Sequence, residues 1–270
     1  MRDDFAIYVL SHKRAFNAGT MEMLAKYGYT GKAFVVIDDE DDIDDYIKCY
    51  GKDKVLIFNK DSYMDKYDAM DNLHKRSIAF YARNFINEHA IKSGLTYYGQ
   101  FDDDILKLFH RYVDENGKFQ RLEVNNVDDI FTSYLEFMDS SDCIAGCCFA
   151  LDSGYFGGAG GKFKNGMGRK IYQTMLLKVS QQVPWKGSHL EDMLLSTLNV
   201  DKLYFDVYMN SFDSPKMSTN DGGINYSSIF DATIYAKVAL GEKFTLYPDG
   251  RTLMRNDYLF PKIVSSRFKL

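Results

Sequence analysis

No stretch of this chain approaches the ~20 consecutive apolar residues that a membrane-spanning helix needs. The residues after Met1 are Arg2, Asp3 and Asp4, where a secretory leader would be basic and then apolar. The expectation is a cytoplasmic protein with nothing to target or anchor it. Cysteine is scarce, and Cys49, Cys143, Cys147 and Cys148 lack the paired spacing of a zinc site. Three of them lie in the apolar run 143–151, where reduced, buried thiols are expected. Two nucleotide signatures are missing as well. No G-x-G-x-x-G follows the first apolar run and no G-x-x-x-x-G-K-[ST] occurs, so neither a dinucleotide fingerprint nor a P-loop is supported. There is no internal repeat and no low-complexity segment.

What is present suits an ordinary globular protein. With 270 residues, 46% hydrophobic and 15% aromatic, the chain can bury a large core in one domain whose second half is elaborated. Short apolar runs alternate with helical patterns. Strands are expected over 5–10 (FAIYVL), 33–37 (AFVVI), 55–58 (VLIF), 97–101 and 144–151. Helices are expected after Thr20 as N-cap with Gly28 as stop, over 43–50 closed by Gly51, over 72–93 closed by Gly94, and between Trp185 and Asn199. This alternation predicts an α/β fold with a mostly parallel, right-handed βαβ sheet, whose ligands sit beyond the carboxyl ends of the strands. Residues 154–161 hold five glycines and read as an adaptable loop leading into a basic stretch.

The carboxyl ends are where the polar clusters fall: Ser11 to Arg14 after the first strand, Asp38 and Asp39 after the second, Asp102 to Asp104 after the fourth. Three adjacent carboxylates repel one another and raise one another's proton affinity unless a cation sits among them. Mg²⁺ and Mn²⁺ take oxygen ligands, and Mg²⁺ usually binds through one or two carboxylates plus substrate phosphates. A phosphorylated donor is therefore the chemistry suggested, although exposed acidic triplets without a metal are common. Glu191 and Asp192 open the last helix, where favourable interaction with the helix dipole accounts for them as readily as a carboxylate base does.

The net charge of −5 is unevenly spread. Residues 38–45 carry seven acids, whereas 153–190 carry Lys162, Lys164, Arg169, Lys170, Lys178 and Lys186 with no Asp or Glu. A basic groove on an acidic protein could meet a polyanion, and two solvated lysine-rich surfaces are the plain alternative.

The segments FAIYVLSHKRA (5–15), FVVIDDED (34–41), DAMDN (68–72), ARNF (82–85) and QFDDDI (100–105) together resemble the TET/JBP-associated glycosyltransferases, a GT-A group found largely in bacteriophages. The resemblance covers about the first 110 residues in order. It implies a single GT-A (Rossmann-like) domain, 1–270, with a nucleotide-sugar half (1–110) and an acceptor half (111–270). It implies that Ser11, His12, Arg14, Asp38 and Asp39 line base and ribose, that Arg83 and Asn84 face the donor sugar and diphosphate, and that Asp103 touches ribose. Asp104, with Asp102, would hold Mn²⁺ or Mg²⁺ in a D-x-D arrangement; Asp221 is the candidate third ligand and His189 a weaker one. Asp192 or Glu191 would deprotonate the acceptor if transfer inverts configuration. The implied reaction is transfer of a hexose or pentose from a UDP-sugar to the hydroxyl of 5-hydroxymethylcytosine, or a related 5-hydroxymethylpyrimidine, in phage DNA. Tyr155, Phe156 and Trp185 would stack on a flipped base, and Lys162, Lys164, Arg169, Lys170, Lys186 and His189 would meet the DNA. A glycan or protein acceptor, or a non-catalytic sugar-nucleotide module, are the competing expectations.

Overall fold

The computed structural model describes residues 1–70, 76, 79–152, 171–188, 190–199 and 201–214, and the backbone of 244–246 and 252–254. The first half alternates as its apolar runs require: β1 (Phe5–Leu10), α1 (Gly19–Lys26), β2 (Lys32–Asp38), α2 (Ile43–Tyr50), β3 (Val55–Phe58), α3 (Lys60–Met64), α4 (Ala79–Lys92) and β4 (Tyr97–Asp102). A hairpin, β5 (Lys107–Val113) and β6 (Phe119–Glu123), leads through α5 (Val127–Asp139) to β7 (Ile144–Leu151) and β8 (Thr174–Lys178). The chain then forms α6 (Glu191–Leu198), β9 (Leu203–Asp213) and a separate antiparallel pair, β10 (Phe244–Leu246) and β11 (Thr252–Met254).

Nine strands make one sheet in the order β3-β2-β1-β4-β8-β7-β9-β5-β6. The first four are parallel throughout. β8 runs antiparallel to both β4 and β7, while β7 and β9 are parallel to each other. It follows that β1, β2, β3, β4, β7 and β9 all present their carboxyl ends at one edge, the edge that collects the polar clusters. β5 and β6 extend the sheet antiparallel beyond β9.

Both faces are covered, which is why the central strands read as unbroken apolar runs instead of alternating ones. On one face α5 sets Phe131 and Leu135 against Phe5, Ile7, Phe101 and Phe149. On the other, Phe80, Tyr81 and Ile86 of α4 pack with Tyr8, Tyr98 and Cys148. Each fully buried side chain of this size stabilises the fold by about 1.5–3 kcal/mol relative to exposure. Cys147 and Cys148 are buried free thiols as expected, and burial pushes the Cys147 thiol up in pKa; Cys143 departs from the expectation because it precedes β7 and lies at the surface. Among the described residues, no helix is long and apolar enough to cross a membrane.

The helix starts need one correction. Ala18, not Thr20, is the N-cap of α1, and Thr20 lies fully buried within its first turn. The Thr20 hydroxyl is recruited by the chain after β4 and caps no N–H of its own helix. α2 runs as expected, with Asp42 accepting from the Asp45 N–H and Gly51 stopping it at φ +86. α4 is described from Ala79, and the expected start at Asn72 lies outside the described residues.

Candidate active site

β4 delivers the acidic triplet to the carboxyl edge beside the loop that follows β1. Both carboxylate oxygens of Asp103 are engaged: Ser11 Oγ donates to one at 2.8 Å and the Arg14 guanidinium to the other at 2.9 Å. Tyr46, from α2, places its hydroxyl 2.8 Å from Ser11 Oγ and accepts from the Arg14 N–H at 3.0 Å. The expectation that Asp103 meets a ribose directly is thus joined by a second role, because it orders Ser11 and Arg14. Burial raises the Asp103 carboxyl above its ordinary range, against the opposing effect of Ser11 and Arg14.

Arg83, buried on α4, joins segments far apart in sequence. Its guanidinium donates to Asp102 at 3.3 Å and to Glu191 at 3.1 Å, and lies 5.3 Å from the centre of the Trp185 ring. Two buried polar atoms here have no hydrogen-bond partner among the described residues: one terminal nitrogen of Arg83 and Oδ1 of Asp104. Asp102 retains 31% exposure of its side chain. Its carboxyl is nevertheless pushed up to about 7, chiefly by burial; Arg83 opposes the shift, and Asp104, Glu191 and Asp103 add to it. An oxygen-rich corner whose negative charge is under-compensated fits a hard divalent cation.

Backbone strain gathers around this corner. Lys13 (φ 56), Gln173 (φ 43) and Leu190 (φ 59) are non-glycine residues with positive φ. Lys13 sits between His12 and Arg14, the Gln173 carbonyl accepts from the Asp102 N–H at 3.0 Å, and Leu190 immediately precedes Glu191. Such conformations cost of order 1–3 kcal/mol each and collect at functional sites.

A second acidic group stands at the end of β2. Asp38 accepts from His12 Nδ1 at 3.0 Å, from Lys60 Nζ at 2.8 Å and from the Glu40 N–H at 2.9 Å. Asp41 accepts from the Lys13 N–H at 2.6 Å and from the Asp38 N–H at 3.1 Å. Asp39 is held by the Lys60 N–H and by Arg76. Among the described residues, His12, Asp38 and Asp41 bring one potential metal-ligating atom each within 4.8 Å of one another. Protonated His12 together with Lys60 offsets the two carboxylates. His12 is raised to about 9 by its hydrogen bonds to Asp38 and Asp41, so the cation there is an imidazolium. Burial works against ionisation of Asp38, but His12, Lys60 and the Glu40 N–H outweigh it and lower the carboxyl to about 2.

Two expected ligand contacts are inward-facing in the structure. Asn84, 1% exposed, donates to the Trp185 carbonyl at 3.0 Å and accepts from its N–H at 2.9 Å, so its amide staples the Trp185 segment to α4. Trp185 is itself 1% exposed, buried against α4, and its ring supports Arg83 instead of offering an open stacking face. Lys186 is exposed. Tyr155, Phe156, Lys162, Lys164, Arg169, Lys170, His189 and Asp221 lie outside the described residues. Thr20, Asp41, Tyr46 and Lys60 were missed by sequence reasoning. Only Asp41 carried a signal, as part of the acidic run.

The sequence matches the model of the TET-Associated Glycosyltransferase family over residues 5–223. The chain belongs to that family and is a glycosyltransferase. In fold it is similar to glucosyl-3-phosphoglycerate synthase from Mycobacterium tuberculosis, solved with Mg²⁺ and UDP, at 10% identity over 93% of this chain and 86% of that one, TM-score 0.48. It is likewise similar to residues 1–349 of S. aureus TarS (10% identity, 86% of this chain and 65% of that one, TM-score 0.43). A197 from STIV is a third such structure (10% identity, 99% and 100%, TM-score 0.40). No curated protein matches the chain in sequence.

Proposed function

We propose that this glycosyltransferase moves a sugar from a UDP-sugar to the hydroxyl of 5-hydroxymethylcytosine, or a related 5-hydroxymethylpyrimidine, in phage DNA. The observation that carries the reading is the Asp102 to Asp104 corner, where a buried Asp104 oxygen has no hydrogen-bond partner among the described residues and burial, with Asp104, Glu191 and Asp103 close by, raises the Asp102 carboxyl. Family membership supports the acceptor.

Asp102 and Asp104 would hold Mn²⁺ or Mg²⁺, with Asp221 as third ligand. Bound there, the ion supplies Lewis-acid stabilisation of the charge that develops on departing UDP. The chain's own residues do the rest. Ser11 and Arg14, fixed by Asp103 and Tyr46, border the nucleoside, and His12, Asp38 and Asp39 brace the loops around it. Arg83 keeps one guanidinium nitrogen free for a diphosphate oxygen while Asn84 secures the Trp185 segment behind it. In an inverting transfer Asp192, at the start of α6, accepts the acceptor's proton, with Glu191 bound to Arg83 as its neighbour. A target base in duplex DNA is flipped out at a cost of a few kcal/mol, offset by contacts from Tyr155, Phe156, Lys162, Lys164, Arg169, Lys170, Lys186 and His189.

The test is mass spectrometry of nucleosides from hydroxymethylated DNA incubated with the protein, Mn²⁺ and a panel of UDP-sugars. A hexose or pentose increment on the hydroxymethylpyrimidine is expected. Asp104→Asn should cut the rate about 10²–10³-fold, the cost of removing one preorganised electrostatic group, without lowering the melting temperature. Unmodified DNA alongside consumption of a saccharide acceptor would reject the DNA assignment, and full activity in Asp104→Asn would reject the metal corner.

A further inference from the structure

We propose that Thr20 is a positioning residue for the metal-holding turn, acting through the main chain on both sides of Asp103 and Asp104. The proposal rests on the reading of that corner given above.

Thr20 is completely buried on the first turn of α1, more than eighty positions from the carboxylates. Its hydroxyl donates to the Asp102 carbonyl at 2.6 Å and accepts from the Ile105 N–H at 2.9 Å. These two groups flank the turn as its first and fourth residues, which a tight turn often bonds directly to each other. Here one side-chain oxygen bridges them. The Thr20 N–H, which as part of a helix start has no acceptor within α1, donates to the Asp103 carbonyl at 3.1 Å. Main-chain groups of Asp102, Asp103 and Ile105 are thus gripped by a single residue.

The grip is tight on its far side too. Gly19 lets the Leu106 side chain lie against α1, since a Cβ there would fall 2.5 Å from Leu106 Cδ2 and the exposed side chain would have to turn aside. The branched Thr20 side chain is stiff at χ1, and its hydroxyl has both a donor and an acceptor partner, so it holds one orientation. Like-charged Asp102, Asp103 and Asp104 favour separation in the metal-free protein. A clasp on their main chain fixes the backbone from which the carboxylates of Asp102 and Asp104 extend before the ion arrives. Groups that orient metal ligands in this way are worth 10–100-fold in metal affinity or activity.

Thr20→Val preserves shape and removes the hydroxyl; Thr20→Ser keeps the hydroxyl. Mn²⁺ affinity in the presence of UDP, read by electron paramagnetic resonance titration, should weaken about 10–100-fold in Thr20→Val and return to near the wild-type value in Thr20→Ser. Sugar transfer by Thr20→Val should regain much of its rate at raised Mn²⁺, so that the loss appears in the Mn²⁺ dependence more than in the limiting rate. Thr20→Cys, similar in size with a weak hydrogen-bonding group, carries the same expectation if Thr20→Val does not fold. Wild-type Mn²⁺ affinity in a folded Thr20→Val or Thr20→Cys protein with a lowered melting temperature would overturn the proposal and leave Thr20 a packing residue. Failure of the wild-type protein to bind Mn²⁺ with UDP would overturn the metal corner itself, and this inference with it.

Discussion

At the end of β2, Asp38, Asp39, Glu40 and Asp41 meet His12, Lys60 and Arg76. At the end of β4, Asp102, Asp103 and Asp104, joined by Glu191, meet Arg14 and Arg83 among the described residues. The two corners share an edge and a residue chemistry, and they differ in balance. In the first, the cations are side chains, Asp38 is held well below its usual range, and main-chain N–H groups take up further lone pairs. In the second, Asp102 is raised and Asp104 keeps a buried oxygen without a partner among the described residues. Clustered acids alone therefore do not mark a metal site. On the proposed reading, a shortage of positive charge around the carboxylates does, and it would distinguish a corner closed by its own side chains from one completed by a ligand.

The sharpest way to break this contrast is Arg83→Met. It leaves the part-buried Asp102 and Glu191 without their cation and should destabilise the metal-free protein by about 3 kcal/mol in urea unfolding, the low end for a broken buried pair. Mn²⁺ with UDP should restore part of that loss, since an ion among the same carboxylates replaces the missing charge. A loss under 1 kcal/mol, or one that Mn²⁺ with UDP leaves untouched, would mean that the second corner is not short of positive charge.

How far each corner could be read from sequence follows from the same physics. β1, β3, α2 and β7 carry the boundaries expected of them, because β1 and β7 are buried on both faces as continuous apolar runs, the short edge strand β3 is also wholly apolar, and α2 has a cap at Asp42 and a stop at Gly51. The hairpin of β5 and β6 left no such trace: FQRLE is an edge strand, three of its five residues exposed, where charged residues are tolerated. Within the site, the triplet, Ser11, Arg14 and Glu191 were legible as polar residues at element ends, Arg83, inside α4, was named only by the family resemblance, and the structure brings them together. Thr20, Tyr46 and Lys60 were not. Their roles consist of hydrogen bonds to groups distant in sequence, and a buried lysine after a strand has no periodic signature.

Lys60→Met tests the first corner in the same currency. Asp38 would lose its ammonium partner but keep His12 and the Glu40 N–H, so a cost of about 1.5–3 kcal/mol is expected, the value of a hydrogen bond to a charged group. Mn²⁺ with UDP should not recover it. Recovery would show that the β2 corner takes a divalent ion when its lysine is removed, and the contrast between the corners would shrink to one side chain.

The smallest expected effect separates the corners by pH, in protein stripped of metal with EDTA. His12 is raised from 6.5 to about 9 in the folded state, so its contribution is complete below pH 6.5 and is lost as pH rises through 9. Asp38 is lowered from 3.8 to about 2, so its contribution is present above 3.8 and is lost only as pH falls through 2. Between about pH 4 and 6.5 the β2 corner is therefore flat. Asp102 behaves oppositely: raised from 3.8 to about 7, the folded state holds its proton more tightly than the unfolded chain, so stability falls as pH climbs from 3.8 to 7. Melting temperature against pH should then show two declining limbs. Asp102→Asn should flatten the lower one. His12→Gln should flatten the upper one, by about 0.5–1 kcal/mol for a partly exposed pair. Mn²⁺ with UDP should remove the lower limb and leave the upper in place. A lower limb that survives Mn²⁺ with UDP, or disappears in His12→Gln, would assign the charge deficit to the wrong corner.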